Sequence, residues 1–275
     1  MARDAPPNQQ APPTPRTGAP LLRFTGLCKS FGDLTVLDGL DLDINRGETT
    51  VVLGPSGSGK SVMLKHAVGL LRPDAGRVEF DGQRVDTLRE HKWWEIRKRV
   101  GFLFQMSALF DSMSVRENLA FPLREHTDMS RKERDDAARL ALARVDLEGV
   151  EDKYPAQLSG GQRKRVGLAR AIILEPELIL YDEPTTGLDP LRAAGIDALI
   201  NKLKDELSVT SHDLVSAQRA ADRAVLLWNG VVRADGPLDT LRSSEDHIVR
   251  GFMTANDGQT TTLEALNAAE QDATA

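Results

Sequence analysis

The chain has 275 residues, enough for one well-packed core or for a core with a small additional lobe. Its 40% hydrophobic and 28% charged residues are typical of a globular protein, and no apolar run is long enough to predict a membrane span. The net charge of −6 argues against nucleic acid as a partner, and the single cysteine excludes an internal disulfide and fits a reducing compartment.

The N-terminal residues 1–20 are rich in Pro, Gln and Ala, which predicts a disordered or polyproline-like tail and no secretory signal. From Leu21 onward, short apolar runs alternate with helical patterns, which indicates an α/β domain with a largely parallel sheet. The clearest buried strands are residues 50–53 and 178–181, because they are apolar on both faces.

A glycine-rich loop follows the first of these strands. Residues 54–61 (GPSGSGKS) match the pattern G-x-x-x-x-G-K-[ST], and a helical pattern follows them. Small residues let backbone N–H groups face a phosphate, and the helix N-terminus adds partial positive charge. We therefore expect Lys60 to neutralise the β- and γ-phosphates of a nucleotide and Ser61 to ligate Mg²⁺. The other loop residues expected to bind nucleotide are Gly54, Pro55, Ser56, Gly57, Ser58 and Gly59.

A helical region lies between the two buried strands, at about residues 112–157. Ser114 with Glu117, and Ser130 with Glu133, both match the capping-box pattern of a helix start. We interpret this region as a helical lobe inserted into the α/β core.

A second glycine motif, residues 158–162 (LSGGQ), precedes a basic helical stretch. Ser159 is suited to cap that helix, but the loop also offers backbone N–H groups to an anion. Because the first loop already accounts for one nucleotide, we expect this motif to contact a nucleotide held by another subunit. A helix cap without a ligand is the other interpretation that the residues allow.

Two adjacent carboxylates, Asp182 and Glu183, directly follow the buried strand 178–181. Asp182 is expected to hold Mg²⁺, directly or through water. Glu183 is then placed to act as the general base that polarises the attacking water. The alternative is a strand end that is simply solvated.

The remaining elements complete the domain. Asp189-Pro190 predicts a helix start, and Asn229-Gly230 predicts a hairpin. Residues 243–275 form a more polar C-terminal extension, whose apolar cluster at residues 248–253 is a candidate for docking on a neighbouring subunit.

Taken in order, these motifs resemble those of the ATPase subunits of ABC transporters, over residues 21–242. Residues 54–61 resemble the Walker A motif, residues 158–162 the signature and residues 178–184 (LILYDEP) the Walker B motif. Five further residues match by resemblance alone: Gln105 of the Q-loop, Gly161 of the signature, Asp189 of the D-loop, His212 of the switch and Phe31, which would stack on adenine.

The resemblance implies a P-loop NTPase of ABC type, with a mixed sheet core and an inserted helical lobe. It implies ATP hydrolysis with Mg²⁺ as the metal. The catalytic residues would be Glu183, His212 and Gln105, and the metal contacts would come from Ser61, Gln105 and Asp182.

The resemblance also implies an assembly. Two copies would pair head to tail, so that each nucleotide lies between one phosphate loop and Ser159 and Gly161 of the other copy. This homodimer would bind permease subunits and lie peripherally on the cytoplasmic face of the inner membrane.

Residues 102–126 (FLFQMSALFDSMSVRENLAFPLREH) are similar to the ATPases of Mla/Mce lipid-transport systems, with Met106 and Ser107 where those often have two glycines. This narrower resemblance implies phospholipid transport and a Mce-type lipid-binding protein in the complex. An ABC ATPase for another solute is the alternative. The apolar residues expected either to meet a permease helix or to fill the lobe core are Leu103, Phe104, Leu109 and Phe110.

The segment before His212 departs from the family pattern, because only Val209 is strongly apolar in residues 208–211. A mean strand has about five or six residues, so we expect a stunted strand that displaces His212. This leads to the hypothesis of a nucleotide-binding subunit with impaired hydrolysis. A sequence error or a deletion without functional meaning is the competing explanation.

Two other classes of protein find less support. ATPases that organise chromosomes share these motifs, but they usually carry a long coiled coil where this chain has only the residues between Lys60 and Ser159. A zinc enzyme is disfavoured because the five histidines are scattered without ligand spacing.

Overall fold

The computed structural model describes residues 18–207, 210–213 and 221–256, so most of the predicted N-terminal tail lies outside the described residues. The strands in these ranges are β1 (Leu22–Phe31), β2 (Leu34–Ile44), β3 (Thr49–Leu53), β4 (Ala75–Phe80), β5 (Gln83–Arg84), β6 (Val100–Leu103), β7 (Leu178–Tyr181), β8 (Thr210–Asp213), β9 (Arg223–Trp228) and β10 (Val231–Gly236). The helices are α1 (Lys60–Ala67), α2 (Glu90–Lys98), α3 (Val115–His126), α4 (Arg131–Arg144), α5 (Gly160–Ile172), α6 (Pro190–Leu207), α7 (Leu238–Arg242) and α8 (His247–Asn256). Across these ranges, no helix combines the length and apolar character that crossing a membrane requires.

The strands form two sheets. One has six strands in the order β10-β9-β3-β8-β7-β6, in which β10 pairs antiparallel with β9 and the other pairs are parallel. The other is antiparallel, with the order β2-β1-β4-β5. The parallel core was predicted from the alternation of apolar runs and helical patterns, whereas the separate antiparallel sheet was not.

The two strands that were predicted to be buried lie inside the six-stranded sheet. Every residue of β3 and of β7 is buried, because helices or the second sheet cover both faces of a parallel sheet. Residues that follow parallel strands emerge at the same edge of the sheet. The loop after β3 and the acidic pair after β7 therefore lie at one edge.

The first apolar core lies between the two sheets. It contains Leu22 and Phe80 from the antiparallel sheet, Leu64 from α1, and Leu180 and Leu227 from the parallel sheet. This packing fixes the antiparallel sheet against the parallel one. It thereby holds the end of β1, where Phe31 stands, near the loop after β3.

Helices α3 and α4 lie within the residues predicted to form the helical lobe. Both predicted capping boxes are confirmed, since Ser114 and Ser130 each accept a hydrogen bond from the backbone of the glutamate three residues later. A second apolar core joins these helices to α5 and β7, with Leu119, Leu142 and Ile179 fully buried. The lobe is thus packed onto the same helix that begins with the second glycine motif.

Of the two alternatives for the four apolar residues, Leu103 and Leu109 follow the core of the lobe. Leu103 is 1% exposed and belongs to the second core, so it does not reach a partner. Leu109 packs partly against that core. Phe104 stacks on Phe102 with ring centroids 4.1 Å apart, and Phe110 is 41% exposed.

The strand that holds the predicted switch histidine is described over Thr210–Asp213 as β8, and helix α6 continues to Leu207. His212 lies inside this strand, paired with Thr50 of β3 and Leu180 of β7. Residues 208–209 and 214–220, on either side of β8, lie outside the described residues, so the shortening of this strand stays a prediction.

The apolar cluster of the C-terminal extension is buried within the chain. Ile248, Val249 and Met253 of α8 are at most 2% exposed and pack on β9 and neighbouring elements. The suggestion that this cluster docks on a neighbouring subunit was wrong, because the outer face of β9 needs the same apolar cover. The predicted hairpin at Asn229-Gly230 is confirmed between β9 and β10, with both residues at positive φ.

Candidate active site

The loop after β3 folds around its own lysine. Lys60 is 6% exposed, and its Nζ donates hydrogen bonds to the carbonyls of Gly54 at 2.8 Å and Pro55 at 2.9 Å. Burial lowers the pKa of Lys60, and the charges of Glu183 and Asp182 oppose this effect. The ammonium group is therefore held in place at the mouth of the loop before any anion arrives.

Position 59 requires glycine for two reasons, its backbone conformation and a close neighbour. It precedes α1 with φ 102°, a left-handed conformation that side chains disfavour. A Cβ there would also lie 2.9 Å from the carbonyl oxygen of Val36. The loop therefore approaches β2 closely, and α1 starts with its free N–H groups directed toward the loop.

Ser61 and Asp182 meet at the shared sheet edge. Ser61 Oγ donates a hydrogen bond of 2.7 Å to Asp182 Oδ1. Asp182 is 6% exposed, and burial raises its pKa while the bond from Ser61 opposes the rise. A hydroxyl and a carboxylate oxygen side by side fit a hard divalent cation such as Mg²⁺, which keeps further oxygen ligands from water and phosphate. Among the described residues, no cluster of three or more His, Cys, Asp or Glu could hold a metal without such outside ligands.

Glu183 is oriented by two hydrogen bonds. Its Oε2 accepts from Gln105 Nε2 at 3.0 Å and from Thr186 Oγ1 at 2.9 Å. Its backbone has φ 49°, in the left-handed region. Gln105 thus contacts Glu183, and its expected contact with the metal stays a prediction. Thr186 was missed by the sequence reasoning, although a hydroxyl three residues after a carboxylate in a turn is a usable signal.

Lys60, Ser61 and Glu183 line one cavity of about 360 Å³, a volume within the range of small-molecule sites. Phe31 lines it and is 48% exposed, with Lys29 Nζ 5.6 Å from the ring centroid. Leu34 and Val36 of β2 line the cavity as well and were not predicted. The other lining residues are Ser56, Gly57, Gly59 and Val62.

The second glycine motif does not line this cavity. Ser159 caps α5, since its Oγ accepts from the Gln162 N–H at 3.3 Å and its own N–H donates to Gln162 Oε1 at 3.0 Å. A Cβ on Gly161 would lie 3.7 Å from Arg192 of α6, the residue whose N–H donates to Asp189 Oδ1 at 3.0 Å. Ser159, Gly161 and Asp189 therefore belong to a surface on the α5–α6 side of the chain.

His212 is not brought to the cavity edge by its strand. Its backbone pairs with Leu180, and Glu183 follows three residues later. The backbone of His212 is therefore paired within β7, before the strand end that Asp182 and Glu183 follow.

Comparison with known proteins gives a consistent result. The family model described as ABC transporter matches residues 37–186. A Mycobacterium leprae protein named as a probable ribonucleotide transport ATP-binding protein is 43% identical over 84% of this chain and 68% of its own length. The Haemophilus influenzae ATP-binding protein MlaF, named for intermembrane phospholipid transport, is 39% identical over 85% of this chain and 90% of its own. A solved ATP-binding cassette, dimeric and bound to ADP and Pi after hydrolysis, superimposes with a TM-score of 0.72 and 32% identity, covering 78% of this chain and 98% of that one.

Proposed function

This chain belongs to the ABC transporter family and is an ATP-binding and ATP-hydrolysing subunit, and we propose that the transport it drives is phospholipid transport of the Mla/Mce type. The observation that carries the ATPase function is the 2.7 Å contact between Ser61 and Asp182 beside the buried Lys60. The similarity of residues 102–126 to the lipid-transport ATPases, and the relative named MlaF, support the choice of cargo.

The residues of this chain have distinct parts in hydrolysis. Lys60 and the start of α1 bind the β- and γ-phosphates of ATP. Ser61 and Asp182 would hold Mg²⁺, which supplies positive charge to the phosphate oxygens when bound. Glu183 accepts a proton from the attacking water, and Gln105 and Thr186 orient its carboxylate.

A second copy of the chain would complete the site. Ser159 and Gly161 are not among the residues that line the cavity of Lys60 and Phe31, so we do not expect them to contact a nucleotide held there by the same chain. In a head-to-tail homodimer, the start of α5 would offer its N–H groups to the nucleotide of the other copy. Asp189 lies beside this surface and would approach the partner at the same junction.

Membrane subunits would bind next to β6. A cavity of about 180 Å³ there is lined by both apolar and basic side chains, among them Phe102, Phe104 and Arg170. Phe110 is exposed close by. We infer that a permease segment occupies this surface, with the chain peripheral on the cytoplasmic face of the inner membrane and a Mce-type lipid-binding protein in the same complex.

Reconstitution tests the cargo. The chain is purified with its co-purifying membrane proteins and placed in liposomes that contain a fluorescent phospholipid. ATP-dependent transfer of the lipid to acceptor vesicles is expected, with the Glu183→Gln complex as the inactive control. Uptake of a labelled ribonucleotide without lipid transfer would contradict the proposal and favour the solute named for the Mycobacterium leprae relative.

A nucleotide-binding subunit with slow hydrolysis is the second candidate. It is favoured by one observation, the pairing of the His212 backbone with Leu180, before the end of β7. The phosphate loop and the acidic pair are intact in this case, so ATP binding and dimer closure persist. Turnover would then be limited because His212 starts from within the sheet and not from its edge.

A further inference from the structure

Lys164 is a buried cation in the second turn of α5. Its side chain is 5% exposed, although an ammonium group is strongly hydrated in water. Burying such a group is unfavourable unless hydrogen bonds and nearby negative charge compensate the lost hydration. None of the residues assigned above to nucleotide binding, metal binding or proton transfer is this lysine.

The contacts of Lys164 lead to the two residues that carry out hydrolysis. Its Nζ donates to the backbone carbonyl of Gln105 and lies 3.4 Å from the carbonyl of Glu183. The side chains of Gln105 and Glu183 are hydrogen-bonded to each other at 3.0 Å. One ammonium group therefore contacts the backbones of both residues, whose side chains contact each other.

The backbone of Glu183 needs such support. A residue other than glycine at φ 49° is strained and keeps this conformation only where its surroundings hold it. The carbonyl of Glu183 is the group that Lys164 contacts. Loss of that contact would let the backbone relax and would move the carboxylate away from the water that it must polarise.

The helix that carries Lys164 is itself firmly placed. Val166 and Leu168, in the same stretch of α5, are fully buried in the second core. Burial lowers the pKa of Lys164, and the charges of Asp182 and Glu183 oppose this effect. The ammonium group is thus held close to both carboxylates by a rigid element.

We propose that Lys164 is a positioning residue for ATP hydrolysis, which fixes the backbones of Gln105 and Glu183 so that the Glu183 carboxylate faces the attacking water. Lys164 touches neither the nucleotide nor the metal in this role. The inference rests on the ATPase function of the site, and it does not depend on the transported cargo.

Three variants of the full chain test the role. Lys164→Met keeps the length of the side chain but removes the charge and the donor. Lys164→Arg keeps both. Lys202→Met is the matched control, because Lys202 also donates to a backbone carbonyl, that of Arg144 at 3.3 Å, but its side chain is 41% exposed and does not line the cavity.

The readouts are the single-turnover rate of MgATP hydrolysis, the Kd of a fluorescent ATP analogue and the melting temperature. Lys164→Met is expected to slow hydrolysis by about 10- to 100-fold, the usual effect of a misplacement of the order of 1 Å. The Kd should stay within about twofold, since the phosphate loop is untouched. Lys164→Arg should restore most of the rate, and Lys202→Met should change neither the rate nor the Kd.

Two results would overturn the proposal. One is a Lys164→Met rate close to that of the unmodified chain. The other is a parallel loss of rate, affinity and melting temperature, which would identify a purely structural lysine. If the methionine variant does not fold, Lys164→Gln replaces it, and an unchanged rate in that variant has the same meaning. Failure of the unmodified chain to bind ATP would instead contradict the proposed function.

Discussion

Ser61 and Asp182 are 121 residues apart in the chain, and Ser61 Oγ lies 2.7 Å from Asp182 Oδ1. The contact arises because β3 and β7 are parallel and separated by one strand, β8, so that both end at the same edge. Hydrophobic burial of these two strands thus brings the hydroxyl of Ser61, at the start of α1, into contact with the carboxylate of Asp182. We propose that cation binding depends on this pair.

Replacing Asp182 with Asn should raise the stability of the nucleotide-free protein and remove its stabilisation by MgATP. Burial raises the pKa of Asp182 in the folded chain. The folded chain therefore favours the protonated carboxyl of Asp182. The stability that this protonated form contributes is present below the unfolded pKa of about 3.9 and is lost as pH rises through the folded pKa. At neutral pH the buried charge opposes folding, so Asp182→Asn should raise the melting temperature of the nucleotide-free protein by a few degrees, about 2–4 °C per kcal/mol.

The stability difference should narrow as pH falls toward 4, because the unmodified carboxyl then becomes protonated. MgATP should stabilise the unmodified chain but not Asp182→Asn. Asp128→Asn, on an exposed position outside the cavity lining, is the control and should keep the stabilisation by MgATP. A lower melting temperature for Asp182→Asn at neutral pH would contradict the expectation.

Glu183→Gln should abolish ATP hydrolysis and leave ATP binding intact. A general base contributes about 10²–10⁴-fold to a rate, so turnover should fall by at least about 100-fold. With MgATP, light scattering after gel filtration should show a stable dimer. Glu175→Gln is a matched control, because Glu175 also has a positive φ, 51°, but its side chain is 72% exposed and forms an ion pair with Arg144 at 3.6 Å.

The outcome also separates the two candidate functions. In a working ATPase the exchange at Glu183 removes nearly all turnover, whereas in a subunit with slow hydrolysis it changes little. Retention of normal turnover by Glu183→Gln would exclude Glu183 as the base.

Phe31→Ala should weaken nucleotide binding and leave the chemistry intact. Stacking of a base on an aromatic ring is worth about 1–3 kcal/mol, so the Kd for ATP should rise by about tenfold. The rate at saturating ATP should stay the same, because an adenine-stacking ring takes no part in the transfer of the γ-phosphoryl group. Phe110→Ala is the control, since Phe110 is similarly exposed, at 41% against 48%, and does not line the cavity. An unchanged Kd for Phe31→Ala would remove adenine stacking from the proposed site.

Lengthening β8 should raise turnover if His212 is displaced. Four apolar residues inserted directly before Thr210 would carry the histidine toward the sheet edge at about 3.3 Å per residue. The turnover of the purified chain is measured with and without the insertion, and again with the insertion combined with His212→Ala, which should return it to the lower value. The same insertion after Gly149, in an exposed turn, is the control. Turnover of 1–100 per second by the unmodified chain would contradict the displacement.

The local motifs were predictable because each is encoded by neighbouring residues. Ser114 and Ser130 cap their helices in the predicted way, since a capping box needs only four consecutive residues. Lys60 and Ser61 were assigned from a single loop for the same reason. Thr186 was missed although it lies only three residues after Glu183. Its role depends on the turn that directs its hydroxyl to the Glu183 carboxylate.

Long-range relationships were less predictable. Leu103 was considered for a partner surface, but the second core buries it. The cluster at residues 248–253 has the composition of a docking helix, and only the packing of α8 on β9 shows that the chain covers it itself. Amphipathic patterns state that an apolar face needs cover and do not state which surface provides it.

The sequence alone determined the family resemblance, the phosphate loop, the acidic pair and the unusual shortness of the segment before His212, since all of these are properties of consecutive residues. Only the tertiary structure decided that Ser61 touches Asp182, that Leu34 and Val36 line the nucleotide cavity, and that Lys164 reaches the backbones of Gln105 and Glu183. The physical reason is that such contacts depend on strand order and register, which the burial of the whole core selects and no short segment encodes.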